Sequence, residues 1–330
     1  MTLYGERRIH LYEVGPRDWR FCHKRSPDTD SLVRTIQMLE AAGIERIEIG
    51  ASANYEKFPE VSDTFEILRR LRKGSPKAKY GIYVGPGAKN YPSTKVRELL
   101  EKKKLVEDPG LPDEICVSIS ASEERNHENY QMSGNRVFEY LQRHVERAQG
   151  DGLPVRGYVS AAFGGYRDTL DAPISSAIGW CQLLLRLGCY EVALGDTRGK
   201  AAPGQFRKSW DMMKGFLPLE KIALHIHAYW YINWQFDILH VVRDGIHTFD
   251  TSSFDVPEPS DQPPGEGSPF HAPIPPNAST QKMVAFFNQM NTEFPEEELR
   301  KMGAERFTTG VDFEKVCEAV KFIRRAIQQL

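Results

Sequence analysis

Apolar and amphipathic stretches alternate along this chain in a regular strand-then-helix rhythm. Ile9 to Val14 reads as a strand, and Asp30 to Ala42 as a helix closed by Gly43, a residue type common just past a helix end. Ile44 to Ile49 is the next strand and Glu60 to Leu71 the next helix. Tyr80 to Val84 is a third strand, with a helix over Thr94 to Lys103. After the polar connection Glu107 to Pro112 come strand Glu114 to Ile119 and a long charged helix, Arg136 to Gln149. Strand Val155 to Ser160, helix Ile174 to Leu187, strand Glu191 to Leu194 and helix Pro203 to Phe216 continue the series. Ala223 to His227 is the seventh strand, followed by helix Ile232 to Arg243 and an eighth strand, Ile246 to Asp250.

Eight strand-then-helix units imply an α/β protein with a parallel sheet wrapped by helices. Their number and length fit a (β/α)8 (TIM) barrel better than an open doubly wound sheet. No Gly-x-Gly-x-x-Gly follows the first strand, which weakens a dinucleotide-binding alternative. Beyond the eighth strand, Val256 to Pro276 carries eight prolines, a density that no helix or central strand tolerates. A long Pro-rich loop is expected there, and in a barrel a loop after a strand lies on the face that carries chemistry. Helices resume over Thr280 to Met290 and Asp312 to Gln329, the last with Val316, Ala319, Val320, Ile323 and Ile327 on one stripe. The expected organisation is one barrel domain over 1–330, with a core at about 8–290 and a C-terminal helical cap at about 291–330. The final stripe fits either a cap on the barrel or a homodimer contact.

Composition narrows the class. A chain of 330 residues with 40% hydrophobic content can bury a large core, and its net charge of −2 suggests neither a nucleic-acid surface nor a membrane-binding basic face. No apolar run is long enough to span a bilayer, and the first eight residues lack the apolar region of a secretory signal. Cys22, Cys116, Cys181, Cys189 and Cys317 are odd in number, scattered and free of any CxxC pair, which points to a reducing compartment. A cytoplasmic protein is expected.

His225 and His227 stand two apart on the seventh strand and therefore share a face. Two core histidines satisfied by hydrogen bonds would give the same pattern, so the other strand ends matter. Strand one ends in Glu13-Val14-Gly15-Pro16-Arg17-Asp18, strand two carries Glu48, and strand six ends in Gly195-Asp196-Thr197. Charged groups at four strand ends are costly to bury unless paired or bound to an ion. Carboxylate, imidazole and water ligands suit Mg²⁺ or Mn²⁺, and Zn²⁺ is compatible.

These segments, with Val155-Arg156-Gly157-Tyr158-Val159-Ser160, Gly188-Cys189-Tyr190-Glu191 and Leu194-Gly195-Asp196-Thr197, resemble hydroxymethylglutaryl-CoA lyase. That enzyme belongs to the metal-dependent barrel superfamily (DRE-TIM type) that also holds isopropylmalate and homocitrate synthases. The similarity runs from about residue 8 to the final helix, including Thr309-Gly310-Val311. It implies a divalent cation held by Asp18, His225, His227 and Asn277, and a substrate that completes the coordination. It also implies that Arg17 faces the oxygen that gains charge as a carbon–carbon bond breaks, with Glu48 and Asp196 supporting the ligand shell and Arg17.

Departures from the family pattern cluster at the same mouth. Ser268 stands where the family lyase carries a cysteine thought to protonate the departing enolate, and a serine hydroxyl is a far weaker acid. Cys22 and His23, beside the first loop, are the alternative proton sources to weigh, although the favoured reading of both is as ordinary loop residues. After Asp18 the family has Gly-Leu-Gln, replaced here by Trp19-Arg20-Phe21; after His227 its Asp-Thr-Tyr-Gly becomes Ala228-Tyr229-Trp230-Tyr231. Trp19, Phe21, Tyr229 and Trp230 are thus expected to reshape the substrate pocket. The expected activity is metal-dependent retro-Claisen or retro-aldol cleavage of a hydroxylated carboxylic acid or its acyl-CoA thioester. A Claisen-type synthase or aldolase on the same ion is the alternative, and a non-catalytic relative is disfavoured by the retained ligands. An iron(II) oxygenase is disfavoured by the strand–helix alternation.

Overall fold

The computed structural model describes residues 5–22, 26–74, 76–88, 112–164, 173–197, 203–227, 234–254 and 278–329. Among them ten strands occur. Strands β1 (Glu6–Arg8) and β10 (Arg306–Thr308) pair with each other in parallel outside the main sheet. The other eight close into a parallel barrel in sequence order. They are β2 (His10–Glu13), β3 (Arg46–Ser52), β4 (Lys79–Val84), β5 (Glu114–Ser120), β6 (Val155–Ser160), β7 (Glu191–Asp196), β8 (Ile222–Ile226) and β9 (Thr248–Thr251). Closure comes from β2 against β9, with Leu11 opposite Phe249 and Glu13 opposite Thr251. The (β/α)8 barrel read from the sequence is therefore the observed fold.

Period-two alternation sorts each strand into two phases. One phase, exemplified by Val192 and Leu194 on β7 and by Ile115, Val117 and Ile119 on β5, packs into the large core beneath the helices. Full burial of each such side chain contributes roughly 1.5–3 kcal/mol. The other phase faces the barrel axis, where Tyr12, Cys116, Tyr158, Ala193 and Ala223 form a separate cluster.

Helices begin where side chains satisfy their first N–H groups: Asp28 accepts from Ser31 N at 2.7 Å, Ser122 from Arg125 N at 3.2 Å and Asp312 from Lys315 N at 3.2 Å. Gly43 follows the helix Thr29–Ala41 with φ +98°, the left-handed conformation that a helix stop of this kind requires. The final helix, Phe313–Gln328, buries Val316, Ala319, Val320 and Ile323, and Val316 and Val320 meet Ala42 of this same chain. Three helices were not anticipated: Gly15–Cys22, Glu123–Tyr130 and Glu296–Lys301. The expected helix over Thr94 to Lys103 and the Pro-rich loop lie outside the described residues.

Candidate active site

The site is organised by the helix Gly15–Cys22, which springs directly from the end of β2. Gly15 is required at its start, since a Cβ there would lie 2.5 Å from Glu13 Oε1 and 2.7 Å from the Phe254 ring. Glu13, wholly buried, ties this corner to the end of β9. Its carboxylate accepts from Gly15 N (3.0 Å), Ser253 N (2.9 Å), Ser253 Oγ (3.1 Å) and Thr280 Oγ1 (2.7 Å). Burial pushes the Glu13 carboxyl up to about 7 against the pull of these donors.

Within the first turn of the helix, Arg17 donates from Nε to Glu48 Oε2 at 2.6 Å and from Nη1 to Asp18 Oδ1. Its guanidinium also lies over the rings of Tyr83 (5.5 Å) and Tyr158 (5.6 Å), and the Tyr158 hydroxyl donates to Glu48 Oε2 at 3.3 Å. Burial works against the Arg17 charge, but Glu48 and Asp18 outweigh it and hold the guanidinium protonated. For Glu48, burial lifts the carboxyl above its ordinary range, with Arg17 opposing. The arrangement fixes an arginine fork beside Asp18 at the C-terminal mouth of the barrel.

Across the mouth, Ala223, His225 and His227 form the inward phase of β8 and its continuation. His225 places Nδ1 3.0 Å from Asp250 Oδ2, and its Nε2 faces His227 Nε2 at 3.0 Å. Asp18, His225 and His227 each offer a ligand atom, and the three atoms lie within 4.8 Å of one another. Adjacent ligands of an octahedral ion bonded at about 2.1 Å are separated by about 3 Å, so the imidazole spacing fits a divalent cation. A second group, with two carboxylates and one imidazole (Asp211, His240 and Asp244), sits on outer helices. There the Lys214 ammonium bridges both carboxylates, at 2.8 Å from Asp211 and 3.1 Å from Asp244, and takes the place a cation would hold.

Beneath the histidines lies a charged layer that the sequence reading did not identify. Arg156, fully buried on the barrel axis, grips Asp250 through Nη1 (3.1 Å) and Nη2 (2.6 Å) and Glu191 through Nε (2.7 Å). Its guanidinium stacks over Tyr12 at 4.2 Å. Asp250 is consequently held below the usual carboxylate range: burial opposes ionisation, and Arg156 and His225 overcome it. The chain of contacts Arg156–Asp250–His225 fixes the ring orientation of one candidate ligand.

The mouth opens into a cavity of about 340 Å³. Arg17, Asp18, His225, His227 and Phe21 line it; Phe21 packs edge-on against Phe58 (5.0 Å) and Tyr83 (5.9 Å). Trp19 is not brought there. Two positions along a helix diverge by about 200°, so Trp19 packs on the outer core instead. Arg20 also turns away from the mouth, buried against Glu60 O and Asp63 Oδ1. Asp196 is buried at the end of β7, on the outward phase with Leu194, whereas Gly195 and Thr197 face the cavity. Ser268, Asn277, Tyr229, Trp230 and His23 lie outside the described residues.

Comparison with known proteins settles the lineage. The HMGL-like family model matches residues 8–229. The chain belongs to the HMGL-like family. The mouse cytoplasmic 3-hydroxy-3-methylglutaryl-CoA lyase is 25% identical over 322 residues, covering 97% of this chain and 82% of that protein. A Pseudomonas aeruginosa 3-hydroxy-3-isohexenylglutaryl-CoA/hydroxymethylglutaryl-CoA lyase is 28% identical over 247 residues, covering 74% of this chain and 76% of that one. The crystal structure of the Bacillus subtilis HMG-CoA lyase superposes with a TM-score of 0.76 at 25% identity, covering 98% of this chain and 95% of the other. This HMGL-like protein thus aligns with the mouse and Bacillus subtilis lyases over nearly all of its chain, at identities that leave the pocket free to differ.

Proposed function

We infer that this HMGL-like protein is a divalent-metal-dependent carbon–carbon lyase acting on a hydroxylated carboxylic acid or its acyl-CoA thioester. The observation that carries the reading is the convergence of Asp18, His225 and His227 within 4.8 Å, beside the Arg17 fork, at the mouth of a closed barrel. Asn277 is the fourth ligand in this reading. Its neighbour Ala278 donates its N–H to Ile226 O at 2.8 Å, between the two histidines. When bound, the cation (Mg²⁺ or Mn²⁺, with Zn²⁺ compatible) supplies a Lewis acid that eases deprotonation of a substrate hydroxyl.

The chain's own residues supply the rest. Arg17 donates to the substrate oxygen that gains negative charge, a role that needs a fixed, permanently charged donor. Glu48 holds Arg17 in place, and Tyr158 in turn holds Glu48. Asp196 supports the end of β7 beside the site. Ser268 orients the proton-delivering water in place of a cysteine acid. Phe21, with Tyr229 and Trp230 in this reading, gives the cavity a shape of its own, so the substrate need not be hydroxymethylglutaryl-CoA itself. The scattered cysteines support a cytoplasmic setting.

The Ser268 replacement favours one second reading, a Claisen-type synthase or aldolase, because a condensing enzyme must keep its enolate unprotonated. Cleavage of hydroxymethylglutaryl-CoA and related hydroxy acids with Mg²⁺ or Mn²⁺, with and without chelator, tests the proposal. Chelator-sensitive cleavage of any of them supports it. Condensation without cleavage moves the assignment to the synthase, and no metal-dependent turnover in either direction overturns both.

A further inference from the structure

The wall of the cavity opposite the histidines carries a polar group that the lyase reading does not use. In the eight-stranded ring, β4 lies four strands from β8, directly across the barrel. There the Tyr83 hydroxyl of β4 lies 2.8 Å from Ser118 Oγ of β5 and 3.1 Å from the Tyr130 hydroxyl, and Ser118 Oγ lies 2.7 Å from Tyr130. Tyr130 ends the helix Glu123–Tyr130, which stops at Gln131 in the left-handed conformation. All three residues line the cavity.

Three hydroxyls bonded in a triangle use three donors and three of six acceptor sites. Each oxygen therefore keeps one acceptor for a ligand. Opening the longest edge, 3.1 Å, leaves the chain Tyr130→Ser118→Tyr83 with the Tyr83 O–H free to turn into the cavity. Such a chain is polarised along its length and strengthens its terminal donor. Burial, then the neighbouring Tyr130, pushes the Tyr83 pKa well above its ordinary value, so Tyr83 remains a neutral phenol that both donates and accepts. A group that accepts and donates at once, without charge, matches a substrate hydroxyl better than a carboxylate or an alkyl branch.

We propose that Tyr83, Ser118 and Tyr130 form a specificity subsite for a hydroxyl at the far end of the substrate, which is therefore a polyhydroxylated carboxylic acid. Placing the acid's other end near Asp18 and His225 rests on the lyase reading above. The cavity of about 340 Å³ suits a compact molecule lying between the two walls.

The test is calorimetric binding to Mn²⁺-loaded protein of gluconate and of 2-hydroxyhexanoate, which has the same six carbons and lacks the distal hydroxyls. Gluconate is expected to bind roughly tenfold tighter or more. Tyr83→Phe and Ser118→Ala are expected to erase most of that preference while leaving the affinity for 2-hydroxyhexanoate unchanged. A purely structural brace would weaken both ligands equally or neither, and that result overturns the proposal, as does equal affinity in the wild type or no binding of gluconate. Because turnover is not read, failure of the lyase reading shows separately: a preference that survives metal removal keeps the subsite and discards the ion as anchor.

Discussion

His225 presents Nδ1 to Asp250 at 3.0 Å, so its Nε2 points at His227 and into the mouth of the barrel. A carboxylate behind an imidazole fixes its tautomer and raises its basicity, and losing one typically costs 10–100-fold in metal affinity. Asp250→Asn is therefore expected to weaken Mn²⁺ binding by about that factor, read by electron paramagnetic resonance titration. Unchanged affinity in a folded variant would remove Asp250 from the site.

Arg17→Lys keeps the charge but loses the fork that reaches Glu48 and Asp18 together. On the substrate identified by the cleavage assay, kcat is expected to fall by about 10²–10³. The Mn²⁺ dissociation constant should move only a few-fold. A loss confined to metal binding would mean that Arg17 serves the ligands and not the reaction.

Much of this architecture was legible in the sequence because parallel strands buried on both faces read as apolar runs, and Gly43 marks its helix end. The helix Gly15–Cys22 was not. Its sequence GPRDWRFC opens with Gly-Pro and has no long apolar stripe, although proline is well tolerated in a first helical turn. Missing that helix grouped Trp19 with Phe21, when helical geometry sends them to different faces. Arg156 was hidden for another reason. Only barrel closure brings it to Asp250, 94 residues away, and nothing local marks a strand arginine as axial.

The acids gripped by Arg156 set the acid limb of stability. Burial opposes ionisation of both Asp250 and Glu191, and Arg156 overcomes it, so both folded pKa values lie below their unfolded ones. Their contribution is fully present above the unfolded values of about 3.8 and 4.5 and is lost as pH falls through the folded values. Stability followed by circular dichroism is expected to drop steeply only below about pH 4.5, and Asp250→Asn should flatten that limb. A steeper limb in the variant would contradict this assignment.

Arg20 is buried against Glu60 O and Asp63, away from the cavity. Arg20→Met is expected to cost about 2–3 kcal/mol in urea unfolding, since it strips a partner from a partly buried carboxylate. Mn²⁺ affinity should remain that of the wild type. Lost metal binding at undiminished stability would return Arg20 to the mouth.

The central claim is that Asp18, His225 and His227 hold a catalytic divalent cation. Equilibrium titration of chelator-treated protein with Mn²⁺, comparing wild type with His227→Ala, tests it most directly. The account predicts one saturable site per chain in the wild type and its loss in a folded His227→Ala variant. No saturable site, or a site untouched by the substitution, would contradict it.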